Sequence, residues 1–166
     1  MEVIKLIETA KDNKSRLSEV DFKDRKEKKK GLSCSISIDE NKSFQTFKGF
    51  GGAITEASGY ILSKLSPEKQ EEVLNAYFNE KLGNNLTFAR THMNSSDFSL
   101  ENWACVEEKD ETLESFSMER TDKYITPNLQ KANIIKNKNL KVMISTWSPP
   151  KWMKSNNDMN HGGKLL

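Results

Sequence analysis

An α/β fold built on a parallel sheet is the architecture this sequence predicts, and three features predict it. Segments at residues 49–56, 86–93 and 140–145 have strand character. Stretches with helical spacing separate them, so the order is strand, helix, strand, helix, strand, the pattern of βαβ units. Ahead of them, residues 1–48 differ in texture and carry short runs typical of antiparallel strands. The expected division is N-terminal strands over residues 1–48 and an α/β part over residues 49–166.

Taken in order, Val3–Ile7 and Ser33–Ile38 are short strand-like runs, the second with apolar positions two apart. Asp12-Asn13-Lys14 and Asp39-Glu40-Asn41-Lys42 supply turn chemistry. Two to four such strands are too few for a core of their own. Gly49-Phe50-Gly51-Gly52-Ala53-Ile54-Thr55-Glu56 reads as a glycine-rich strand whose bare backbone permits close approach. It is no phosphate loop, because no Gly-Lys-Ser/Thr follows and the GxGxxG spacing is absent. Ser66-Pro67-Glu68 has the cap, proline and carboxylate of a helix start. Val73, Leu74, Tyr77 and Phe78 then form its apolar stripe, and Gly83 lies just beyond as a stop.

Leu86–Met93 is the second strand, ended by Asn94-Ser95-Ser96-Asp97. A long polar loop is expected from Ser99 to about Glu119. One helix carrying Ile125, Leu129, Ala132 and Ile135 follows it. The third strand, Leu140–Ser145, has the continuous apolar character of a buried parallel strand. No internal repeat is visible.

Composition narrows the functional classes. A chain of 166 residues suffices for one domain with a sizeable core. Its net charge of +2 is too near neutral to point to nucleic acid or an anionic membrane. The basic run Lys26–Lys30 is interrupted by Glu27 and preceded by Asp21 and Asp24, as in a solvated loop. Cys34 and Cys105 lie far apart without histidines at ligand spacing, so neither a zinc site nor a disulfide framework is expected, while a single bridge between them stays open. Met1–Lys14 lacks the apolar core of a secretory leader, and no stretch approaches membrane-spanning length, so the cytoplasm is the default location.

Three polar clusters fall at the ends of the three strands: Thr55-Glu56, Asn94–Asp97 and Thr146-Trp147. Parallel neighbours bring such ends to one rim, where barrel enzymes build their sites. Arg90 lies inside a strand, and a buried arginine needs an anionic partner. It either orients a carboxylate in the site or forms a structural ion pair. Asp97 is a sugar-hydroxyl acceptor or a turn cap. Glu56 is either an acid that supports the site from behind or an exposed residue at a helix start, the second being preferred, and His92 reads as a hydrogen-bonded core residue. Trp147 and Trp152 offer flat faces and indole N–H groups suited to sugar rings, or else pack as ordinary aromatics.

Four segments together resemble one family. Phe47-Lys48-Gly49-Phe50-Gly51-Gly52-Ala53-Ile54-Thr55-Glu56-Ala57 is similar to the opening of glycoside hydrolase family 30, the glucosylceramidase family. So are Arg90-Thr91-His92-Met93-Asn94-Ser95-Ser96-Asp97-Phe98-Ser99, Trp147-Ser148-Pro149-Pro150, and Trp152-Met153-Lys154 through Gly162-Gly163. They arrive in family order over roughly residues 44–166, and residues 1–43 resemble the strands that precede the barrel. The resemblance implies a retaining β-glycosidase on a (β/α)8 barrel with an attached β-sandwich, of which this chain holds about the first three βα units. It implies that Asp97 and Trp147 hold the sugar in the −1 subsite and that Arg90 braces the site near the nucleophile. Ser96 stands where many relatives have cysteine, Thr146 where proline commonly precedes the tryptophan, and Glu56 where aspartate is frequent.

Retaining hydrolysis needs two carboxyl groups about 5 Å apart. In the family both are glutamates on later strands, one in an Asn-Glu-Pro motif that this sequence lacks. The expectation is therefore the front of a glycosidase for β-glucosides or glucosylceramide-type substrates. It carries pocket residues Asp97, Trp147 and Arg90, no catalytic residue, no cofactor and no metal, and is inactive and poorly stable alone. The rivals are a non-catalytic carbohydrate-binding module with Trp147 and Trp152 as its platform, and the product of a decayed reading frame.

Overall fold

The computed structural model describes residues 5–21 and 37–166. Two compact units divide at Gln45 and Thr46. In the first, β1 (Leu6–Glu8) pairs antiparallel with β2 (Ser18–Val20), in the register Leu6 opposite Val20. The connecting turn is tied by Ala10 N–H donating to the Ser15 carbonyl at 3.1 Å. The expected strand at Ser33–Ile38, the basic run and Cys34 fall at least partly outside the described residues.

The second unit has the expected βαβ order with two differences. A parallel sheet runs β3 (Gly51–Ala53), β4 (Phe88–Met93), β5 (Lys141–Thr146), with β4 in the centre. Gly51 is required where it stands: a Cβ there would lie 2.6 Å from the Phe88 Cβ on the neighbouring strand. Past Ala53 the chain turns directly into a helix of which the sequence expectation held only the start at Glu56, α1 (Glu56–Ser63). Thr55 caps it, its hydroxyl accepting from Ser58 N–H while Ser58 returns a bond to the Thr55 N–H. Gly59, mid-helix, lets α1 press on the next helical layer, where a Cβ would stand 2.1 Å from the Tyr124 carbonyl oxygen.

Helix α2 (Pro67–Phe78) starts as its sequence predicts, with Ser66 as cap and Pro67 in the first turn. The second expected helix is two: α3 (Glu119–Tyr124) and α4 (Thr126–Ile135), joined at Ile125. Pro127 sits in the first turn of α4, where its missing N–H costs nothing. Ile125, fully buried, centres the core with Ile54, Leu74, Phe78, Ala89 and Ala132. That core lies between the helices and the Ala89 side of the sheet. Full burial of side chains the size of Leu74 or Phe78 contributes roughly 1.5–3 kcal/mol each.

The buried third strand is not observed. Val142, Met143 and Ile144 are 43%, 57% and 66% exposed, and only Leu140, just before the strand, packs against the core. The apolar run has the composition of a central strand, but among the described residues β5 is paired on one side only.

Candidate functional site

Parallel register places the three polar clusters side by side. Ala53 is opposite Arg90 and Met93 is opposite Thr146, so each strand delivers its carboxyl end to the same rim. Beyond the strands the alignment continues: Ile54 N–H donates to the Arg90 carbonyl at 2.8 Å, and Trp147 N–H to the Met93 carbonyl at 3.2 Å.

Arg90, Asp97 and Trp147 line one cleft of about 110 Å³, together with Thr55, His92, Ser96 and Phe98. Arg90 alternates with the core residue Ala89 and so emerges on the other face of β4. It is exposed, contrary to the buried position expected of it, and needs no carboxylate. Its Nε donates to Ser145 Oγ at 2.8 Å, and its guanidinium lies 4.7 Å from the Trp147 ring centroid. Trp147 remains 43% exposed. Asp97 is exposed in the turn after β4, and its carboxylate accepts no hydrogen bond from the described residues. The capping roles there belong to Ser99 Oγ, accepting from Ser96 N–H, and Ser96 Oγ, accepting from Phe98 N–H. The cleft thus offers an acceptor, an aromatic face and a cation, a set suited to a polyhydroxyl ring.

Glu56 overturns the preferred of its two readings, the exposed one: it is fully buried. Arg120 reaches its Oε1 with Nε at 3.0 Å and Nη2 at 2.7 Å, while Leu100 N–H and the Trp103 indole reach Oε2 at 3.1 and 3.0 Å. Burial of the Arg120 guanidinium works against its charge, but bonds to Glu101 and Glu56 hold its pKa above the ordinary value. Neither Trp103 nor Arg120 was singled out by the sequence. The available signal was Trp103-Ala104-Cys105-Val106, four apolar residues in a row inside an otherwise polar loop, and all four are buried.

His92 is the hydrogen-bonded core residue expected. Its Nδ1 lies 2.6 Å from the Asn94 carbonyl, which can only accept, so the proton is on Nδ1; Nε2 then accepts from Glu56 N–H at 3.2 Å. Asn94 has a left-handed φ of 60°, and its amide joins Ser148 O at 2.7 Å to Cys105 N–H at 2.9 Å. Cys105 is buried and free of any disulfide among the described residues; burial pushes its thiol pKa up, away from a reactive thiolate. Trp152 is half-buried. Its indole N–H is committed to the Val106 carbonyl at 3.0 Å. The following Gly162-Gly163 pair, at φ of 78° and 82°, turns a loop closed by Lys154 Nζ on the Met159 and Asn160 carbonyls. Among the described residues no cluster of three His, Cys, Asp or Glu is arranged for a metal.

Comparison with known proteins gives a consistent answer. Residues 47–166 match the model of the glycosyl hydrolase family 30 TIM-barrel domain. The lysosomal acid glucosylceramidase of Mus musculus is 31% identical over 137 residues, covering 81% of this chain and 26% of the relative. The crystal structure of SrfJ from Salmonella typhimurium superposes with a TM-score of 0.71 at 38% identity, over 76% of this chain and 28% of that one. An endo-β1,6-glucanase superposes with a TM-score of 0.65 at 33% identity, over 70% and 25%. The chain spans about a quarter of the length of the relatives it matches. Its parallel sheet and helices are those of a partial barrel.

Proposed function

The chain belongs to glycoside hydrolase family 30, and on that premise we propose that it forms the sugar-holding side of the pocket of a retaining β-glycosidase. The glycosidase acts on β-linked glucosides or glucosylceramide-type substrates. Asp97 accepts a hydroxyl of the sugar in the −1 subsite, Trp147 covers the ring, and Arg90 turns its Nη donors toward the carboxylate that attacks the anomeric carbon. The observation that carries this reading is Asp97, exposed at the shared rim with its acceptor capacity unspent beside Arg90 and Trp147.

The two reacting carboxyl groups come from later strands of the barrel, outside the quarter that this chain spans. Glu56 cannot be one of them, because all its acceptor capacity toward Arg120, Leu100 and Trp103 is in use and no solvent reaches it. Neither reacting group requires a metal or cofactor: one attacks, the other protonates the leaving oxygen and then activates water. On this reading residues 1–48 belong to the accessory β-sandwich of such enzymes.

The test is hydrolysis of 4-nitrophenyl β-D-glucoside by the natural-length protein, with the 166-residue chain as control. Hydrolysis with retained anomeric configuration in the first and none in the second is expected. No hydrolysis at natural length contradicts the proposal, and so does turnover by the 166 residues alone.

A further inference from the structure

We infer that Glu56 is a positioning residue that sets where Asp97 stands in the cleft, an inference that rests on the pocket reading above. Asp97 makes no side-chain bond among the described residues, so its place is decided by what holds the backbone on either side. On one side, Phe98 gives its carbonyl to Ala57 N–H at 3.0 Å. On the other, Ser95 N–H donates to the Trp103 carbonyl at 2.9 Å. Glu56 governs both holds, being the chain neighbour of Ala57 and the acceptor for the Trp103 indole at 3.0 Å.

Three chain segments therefore meet on one buried carboxylate: the start of α1, residues 100–103, and α3 through Arg120. A buried carboxylate tolerates no loss of its donors, since each one replaces water. The same residue's N–H also reaches His92 Nε2, which ties the end of β4 to the end of β3. Nothing in this set faces the cleft through Glu56 itself. It acts on the sugar only by way of Asp97.

That dependence is testable with a double-mutant cycle in the natural-length protein, using Glu56→Gln, Asp97→Asn and the pair, with 4-nitrophenyl β-D-glucoside as probe. Glutamine replaces one accepting oxygen with a donor, so the four incoming donors no longer fit. In E56Q, amide exchange over residues 95–103 should accelerate about tenfold or more, while that of α2 and α4 stays within about twofold. The kcat/KM should fall roughly tenfold or more, and the double variant should be no worse than D97N alone. A purely structural Glu56 would instead lower the activity of D97N by a further, independent factor, and that additivity overturns the inference. Unchanged exchange at residues 95–103 in E56Q overturns it too. Should E56Q fail to fold, Arg120→Gln, which leaves Glu56 its two uncharged donors, passes through the same cycle with the same expected outcomes. If the wild type does not turn over the glucoside, the pocket reading is what fails, and exchange at residues 95–103 still decides whether Glu56 holds the Asp97 turn.

Discussion

Glu56 and Asp97 are carboxylates at the same rim of the same sheet, and their surroundings are opposite. Glu56 has no exposed surface and four donors; Asp97 is open to solvent and accepts no hydrogen bond from the described residues. Trp152 and Trp147 repeat the contrast, one with its indole N–H committed to Val106, the other 43% exposed beside Arg90. The lesson is a division of labour among side chains of similar chemistry. One set of polar residues is saturated and fixes the rim; the other keeps spare valence and faces the cleft.

The contrast breaks most visibly at Asn94, which belongs to the saturated set. Asn94→Ala leaves Cys105 N–H and the Ser148 carbonyl without their partner, and alanine tolerates the φ of 60° poorly. A loss of about 3 kcal/mol in folding stability is expected, read from denaturant midpoints. A loss under about 1 kcal/mol would mean that the rim does not depend on this network.

Next come the tryptophans. Trp152→Phe keeps the bulk and removes the N–H that Val106 receives, so about 1 kcal/mol should be lost. Trp147→Phe should change stability by no more than about 0.5 kcal/mol. Equal effects from the two would erase the distinction between them.

The smallest effect concerns a hydrogen-bonded carboxylate that does not line the cleft. Hydrogen bonds from Thr112 and Ser115 hold the Asp110 carboxyl far below its usual 3.8. A depressed folded pKa stabilises the turn fully above the ordinary carboxylate value and is lost as the pH falls from there toward the lowered one. Exchange of the Ser115 amide, 2.7 Å from Asp110 Oδ2, should therefore stay slow down to about pH 4 and gain relative speed only below it. In Asp110→Asn that pH dependence should vanish.

Much of the scaffold was legible in the sequence because its signals are local. Ser66-Pro67 marks a helix start, and the strand-like stretch at 86–93 and the apolar run at 140–145 mark strands, whichever partners they later find. Of helix α1 only the start at Glu56 was legible, since Thr55–Ser63 follows a glycine-rich strand without a break and has Gly59 at its middle. The burial of Glu56 was invisible for a different reason. Its partners Leu100, Trp103 and Arg120 lie 44, 47 and 64 residues away, and only the fold brings them together. The exposure of β5 departs from its composition because a run of Val142, Met143 and Ile144 records the burial a strand is built for, not the neighbours present in this chain. Asp97 and Trp147 were readable by their place at strand ends, Arg90 as a charge inside a strand, and all three by resemblance to the family; the structure gathers them into one cleft.

The most direct test of this division is Asp97→Asn in the natural-length protein, with thermal stability and kcat/KM for 4-nitrophenyl β-D-glucoside measured on the same sample. Losing a charged acceptor for a sugar hydroxyl should lower kcat/KM on the order of 10- to 100-fold. Stability should move by no more than about 0.5 kcal/mol, because no described residue bonds to that carboxylate. A variant that melts early and keeps its activity would contradict the account, placing Asp97 among the residues that hold the rim instead of those that hold the sugar.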